Sequence, residues 1–117
     1  MSDFVITGGK PLSGATGVFG AKNAVLKEMA AMLLAPGRYR LTNVPRIIDV
    51  DLMADVLRHA GAYCAMSDHE LTVTMPSEIL PEAPIDLVRA MRASIVVLGP
   101  MLARCGRASV ALPGGDD

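Results

Sequence analysis

Gly20-Ala21-Lys22-Asn23-Ala24 is the stretch on which the reading of this chain turns. A glycine closes an apolar segment, and a lysine and an asparagine then open a run in which Val25, Leu26, Met29, Met32 and Leu33 recur at helical spacing. Lysine brings a mobile positive charge, and the asparagine amide both donates and accepts hydrogen bonds. Both stand where the free N–H groups and positive dipole end of a new helix already favour an anion. The pattern points to a site for a phosphate or a carboxylate.

Outward from that point the elements alternate. Phe4 to Thr7 and Ala15 to Phe19 read as short strands, divided by Gly8-Gly9 and Pro11. Pro36-Gly37 stops the first helix, and Tyr39, Leu41 and Val44 read as a strand and its exit before Pro45. Asp49 or Asp51 is placed to cap a second helix through Leu52, Val56 and Leu57, with Gly61 as its stop. Tyr63 to Met66 and Glu70 to Thr74 form a hairpin pattern around Ser67-Asp68. Pro76, Pro81 and Pro84 mark a loop. A third helix is expected from Asp86 to Arg104, kinked at Pro100, before a last strand from Arg107 to Leu112.

The first and third helices begin similar sentences. Each is followed by Gly-Arg, a strand and a proline: Gly37-Arg38 to Pro45, then Gly106-Arg107 to Pro113. Gly37 and Gly106, like Lys22 and Arg92, are separated by about 70 residues, a supersecondary unit used twice. The second copy is interrupted after its first strand, so one copy and a part leave apolar surface uncovered.

Composition limits the class. The 117 residues suffice for one modest core. Apolar residues make up 51% and aromatics only 3%, so the core is aliphatic and methionine-rich, with Met29, Met32, Met53, Met91 and Met101 on expected helix faces. A net charge of −1 without a basic tract argues against nucleic acid as a partner. No apolar run is long enough for a membrane span, and Met1-Ser2-Asp3 opens no signal peptide. Cys64 and Cys105 are too few for a disulfide framework or a metal site and read as packing residues, which fits a reduced cytoplasmic compartment. His59 and His69 lack partners at ligand spacing. Arg38, Arg40 and Arg46 read as a solvated basic edge, one of which can serve a substrate anion.

Five motifs carry a resemblance: Gly20-Ala21-Lys22-Asn23-Ala24; Asn43-Val44-Pro45; Asp49-Val50-Asp51; Met91-Arg92-Ala93-Ser94 with Leu98-Gly99-Pro100; and Leu112-Pro113-Gly114-Gly115. In this order they resemble the N-terminal part of the UDP-N-acetylglucosamine enolpyruvyl transferases, collinear over essentially the whole chain. The resemblance implies an α/β class, an inside-out barrel built of repeated βαβαββ units. On that plan residues 1–20 are strands that pack with the other domain, 21–84 the first unit and 85–117 the start of the second.

The implied reaction moves the enolpyruvyl group of phosphoenolpyruvate to the 3-hydroxyl of UDP-N-acetylglucosamine and releases phosphate, the first committed step of peptidoglycan synthesis. It requires cations for the two acidic groups, an acid for the methylene carbon and a base for the sugar hydroxyl, and no metal or other cofactor. Carried over by motif, Lys22 contacts phosphoenolpyruvate, Asn23 positions sugar and phosphate, and Arg92 offers a planar guanidinium to an oxyanion. The implied partners are the two small-molecule substrates and the remainder of the same enzyme, which holds the base and further arginines; the 117 residues alone are expected to be inactive. The chain departs from the family at Asp116, where most members place a cysteine that serves as the acid and is alkylated by the epoxide fosfomycin. A carboxylic acid can deliver the proton where its surroundings keep it protonated, but it is a poorer nucleophile than a thiolate. Asp116 therefore implies activity with fosfomycin resistance, while Asp117 falls one position late. Two alternatives stay open: an enolpyruvyl transferase acting on another uridine nucleotide, and a non-catalytic phosphate-binding α/β module.

Overall fold

The computed structural model describes residues 2–111, without the side chains of Arg92 and Ala93. Helix α1 (Lys22–Ala31) runs into a 3-10 turn (Met32–Leu34) and strand β1 (Gly37–Leu41). Helix α2 (Ile48–Ala60) follows, then the hairpin of β2 (Tyr63–Ser67) and β3 (Glu70–Met75). β3 is the centre of a three-stranded sheet, antiparallel to both β1 and β2, with Leu41 opposite Leu71 and Ser67 opposite Glu70. The element order is helix, strand, helix, strand, strand.

The core lies between this sheet and the two helices. Val25, Leu26, Met29 and Leu33 come from one side of α1 and its extension, and Val50, Met53, Val56 and Leu57 from α2; all are buried. The sheet contributes Leu71, Val73 and Met75, alternate residues of β3 that share one face. The five methionines expected inside, at 29, 32, 53, 91 and 101, are all buried. Cys64 is buried as well, and burial pushes its thiol pKa up, which suits packing rather than nucleophilic chemistry.

Several expectations need correction. The strands at Phe4–Thr7 and Ala15–Phe19 are not formed: residues 2–20 hold neither helix nor strand. A strand exists through its ladder, and no strand among the described residues pairs with this segment, so Phe4, Val5 and Ile6 stay 96%, 91% and 87% exposed. Neither Asp49 nor Asp51 caps α2. The capping position is Ile47, and both acids sit inside the first turn, where they meet the helix dipole directly. Gly61 does stop α2, in the left-handed conformation at φ 117°.

The third correction concerns the long helix, which is three pieces: α3 (Ile85–Ala90), a 3-10 segment (Arg92–Val97) and α4 (Leu98–Cys105). The break is at Met91, extended at φ −150°, ψ 110°, not at Pro100. Pro100 is the third residue of α4, within the first turn, where its missing N–H has no helical acceptor to lose. α4 ends at Gly106, left-handed like Gly61. Arg104 then fastens α4 to the 3-10 turn after α1 and to the loop after β3, its guanidinium donating to the carbonyls of Leu33 (3.1 Å), Pro76 (2.6 Å) and Ser77 (2.8 Å). Among the described residues the last strand is short, with the expected end at Leu112 lying outside them: β5 (Ser109–Val110) lies parallel to β4 (Glu82–Ala83), a strand inside the expected proline loop.

Candidate functional site

The site is assembled where the chain enters α1. Ala21 caps the helix with its carbonyl, which accepts from the N–H of Val25 at 3.1 Å, and no side chain caps the end. Lys22 and Asn23 are thus the first two helical residues, and both are exposed. Gly20 lies against the next loop so tightly that a Cβ there would fall 1.9 Å from the carbonyl oxygen of Asn43. Only glycine permits that approach. Asn43 adopts φ 54°, a conformation asparagine tolerates, and its side chain donates to the Val18 carbonyl at 3.4 Å.

The same loop is held from its other side. Val44 N–H donates to the His69 carbonyl at 2.8 Å, and His69 Nδ1 donates back to the Val44 carbonyl at 2.9 Å. His69 is therefore occupied as a loop clasp. Between these contacts opens a cavity of about 440 Å³ lined by Phe19, Gly20, Lys22, Pro45, Arg46, Ile47 and His69. Asn23 is not among its lining residues.

Lys22 is not a free cation. Its Nζ lies 2.7 Å from Asp49 Oδ2, and the Lys22 side chain is 57% exposed against 21% for Asp49. The contact ties the starts of α1 and α2 together. Arg46, also lining the cavity, donates to the backbone carbonyl of Asp68 at 3.2 Å and makes no salt bridge among the described residues. Of the basic edge, Arg40 is committed elsewhere: it grips Glu70 with Nε and Nη2 at 2.6 and 2.9 Å across the β1–β3 pair. That grip raises the Arg40 pKa and lowers that of Glu70. His59 likewise faces Glu82, at 3.3 Å. No cluster of three or more metal-ligating side chains forms among the described residues.

Arg92 begins the 3-10 segment that packs on α1, but its side chain lies outside the described residues, as do Asp116 and Asp117 entirely. Ser94, from the same motif, is wholly buried, and its Oγ has no hydrogen-bond partner among the described residues. The structure thus brings Lys22 to a cavity with Arg46 and to a carboxylate on α2. Sequence reading gave Asp49 only a capping role; its place in a motif beside Lys22's was the available signal.

The model of the EPSP synthase family, 3-phosphoshikimate 1-carboxyvinyltransferase, matches residues 6–117. The chain belongs to that family. Within it, the chain is 54% identical over 113 residues to a UDP-N-acetylglucosamine 1-carboxyvinyltransferase of Mycobacterium tuberculosis, covering 97% of this chain and 27% of the relative. A protein of the same name from Corynebacterium jeikeium is 52% identical with the same coverage. In structure, the chain is similar to the enolpyruvyl transferase NikO from Streptomyces tendae, with a TM-score of 0.72 and 30% identity over 86% of this chain and 24% of that one. The α/β architecture is therefore that of an enolpyruvyl transferase, and the chain spans about a quarter of the length of the relatives it matches. No helix among the described residues is long and apolar enough to cross a membrane.

Proposed function

We propose that this chain supplies part of the active site of an enzyme that transfers the enolpyruvyl group of phosphoenolpyruvate to the 3-hydroxyl of UDP-N-acetylglucosamine, releasing phosphate. The observation that carries the reading is the 54% identity, over 97% of the chain, to relatives of that name, combined with Lys22 at an uncapped helix start beside a cavity. The N-terminal dipole and a lysine ammonium together favour a phosphate or carboxylate there. Lys22 holds the acidic groups of phosphoenolpyruvate and the charge that develops on them. Asn23 orients the sugar and phosphate, Arg92 adds a planar donor fork, and Asp116 protonates the methylene carbon.

Residues 1–20 pack with the enzyme's second domain, which the bare apolar side chains of Phe4, Val5, Ile6, Leu12, Val18 and Phe19 support. Residues 21–84 form one repeat unit, and 85–117 begin the next. The setting is the cytoplasm, where peptidoglycan precursors are made, and the partners are the two substrates and the rest of the enzyme.

In the full-length protein, phosphate release is expected to need both phosphoenolpyruvate and UDP-N-acetylglucosamine, and to fall about a hundredfold or more in Lys22→Ala. Release unaltered by that substitution, or independent of the sugar nucleotide, refutes the assignment. Incubation with fosfomycin is expected to leave the intact mass unchanged, because a carboxylate at 116 opens the epoxide poorly; a stable adduct on Asp116 contradicts the expected resistance.

A further inference from the structure

Lys22 and Arg46 both line the cavity at the start of α1, yet they are held in opposite ways. Arg46 leans on a neutral carbonyl. Lys22 meets a full carboxylate, Asp49, at 2.7 Å, and Asp49 is not among the residues that line the cavity. The carboxylate reaches Lys22 from the first turn of α2 and is not itself part of the cavity lining. It is also the steadier partner, 21% exposed and fixed in the first turn of α2, whose dipole favours its charge. A lysine 57% exposed would otherwise spread over many rotamers.

The geometry points to Asp49 as the positioning residue of the anion site: it fixes Lys22 so that the two ammonium donors it does not use face the cavity and an acidic group of phosphoenolpyruvate. An ammonium has three donors, so one bond to Asp49 leaves that pair. The inference rests on the reading of Lys22 as an anion-binding residue. Asp49 has a competing description as a counter-charge that the incoming anion must overcome. The two differ in sign: loss of a positioning group weakens anion binding, whereas loss of a repelling charge strengthens it.

The test is titration of the full-length protein with phosphoenolpyruvate, following the backbone amides of α1 by NMR. Asp49→Ala is expected to weaken binding about threefold, the scale of a half-exposed ion pair. Asp49→Asn, which keeps an acceptor for the ammonium but not the charge, is expected to fall between wild type and Asp49→Ala. Lys22→Ala is expected to cost about tenfold, the scale of a lost charge-assisted bond. In that background Asp49→Ala should change nothing further, because Asp49 acts only through Lys22. Binding as tight as wild type or tighter in both Asp49 variants overturns the proposal. So does a threefold loss from Asp49→Ala that persists without Lys22, since it would reflect structure rather than positioning. Wild type without saturable shifts, or Lys22→Ala binding like wild type, instead defeats the reading of the anion site itself.

Discussion

Two stretches of nearly equal apolar character meet opposite fates on either side of Gly20. Phe4-Val5-Ile6 and Val18-Phe19 stand almost wholly in solvent, while Val25-Leu26 and Leu33, a few residues on, are sealed in the core. Hydrophobicity does not separate them. The difference is that α1 satisfies its own backbone and needs only a surface to lie on, which α2 and the 3-10 segment provide. A strand has no such independence and needs a neighbour's ladder. Apolar sequence thus specifies that a segment should be covered, and topology decides by what.

The widest gap between the two regions should appear in stability. Leu57→Ala, at a fully buried site on α2, is expected to cost about 2–5 kcal/mol. Phe4→Ser should stay within about 0.5 kcal/mol. Urea unfolding followed by circular dichroism measures both, and comparable losses would break the contrast. At the border itself, Gly20→Ala is expected to destabilise by about 1–3 kcal/mol, since its methyl would collide with the Asn43 carbonyl. A neutral result there would mean that the loop yields easily and that the border is soft.

The smallest effect belongs to the sheet surface. The Arg40 hydrogen bond and charge hold the Glu70 pKa below its ordinary value. A lowered carboxylate pKa contributes stability that is present above the unfolded value near 4.5 and is lost as pH falls through the folded one. Arg40→Gln should therefore lower stability slightly at neutral pH and flatten its fall on the acid side. Parallel acid titrations of the two proteins by circular dichroism check this, and superimposable curves would show the pair to be ornamental.

What the sequence made legible was local. Helical spacing located α1 and α2, Gly61 ended the second, and Ser67-Asp68 marked a hairpin in which Asp68 takes φ 52°. The Lys22-Asn23 start was readable because a helix terminus carries its own electrostatic signature. Less legible were features fixed by distant partners. The run Phe4–Thr7, closed by Gly8-Gly9, suggested a strand without revealing that no strand among the described residues pairs with it. Apolar residues run through Met91 at helical spacing, so the break there leaves no mark in the pattern, while Pro100, the obvious breaker, is harmless in a first turn. Asp49 fits any capping rule for α2; that it serves α1 through Lys22 follows from how the two helix starts converge.

The contact between Gly20 and Asn43 also has a mechanical meaning. Asn43 wedges the backbone two residues before Lys22 and grips the Val18 carbonyl besides. The chain entering α1 is consequently pinned at Val18 and Gly20, against the loop that borders the cavity, although residues 2–20 form neither helix nor strand. Lys22 thus starts two residues from a fixed anchor, whatever course the residues before Val18 take.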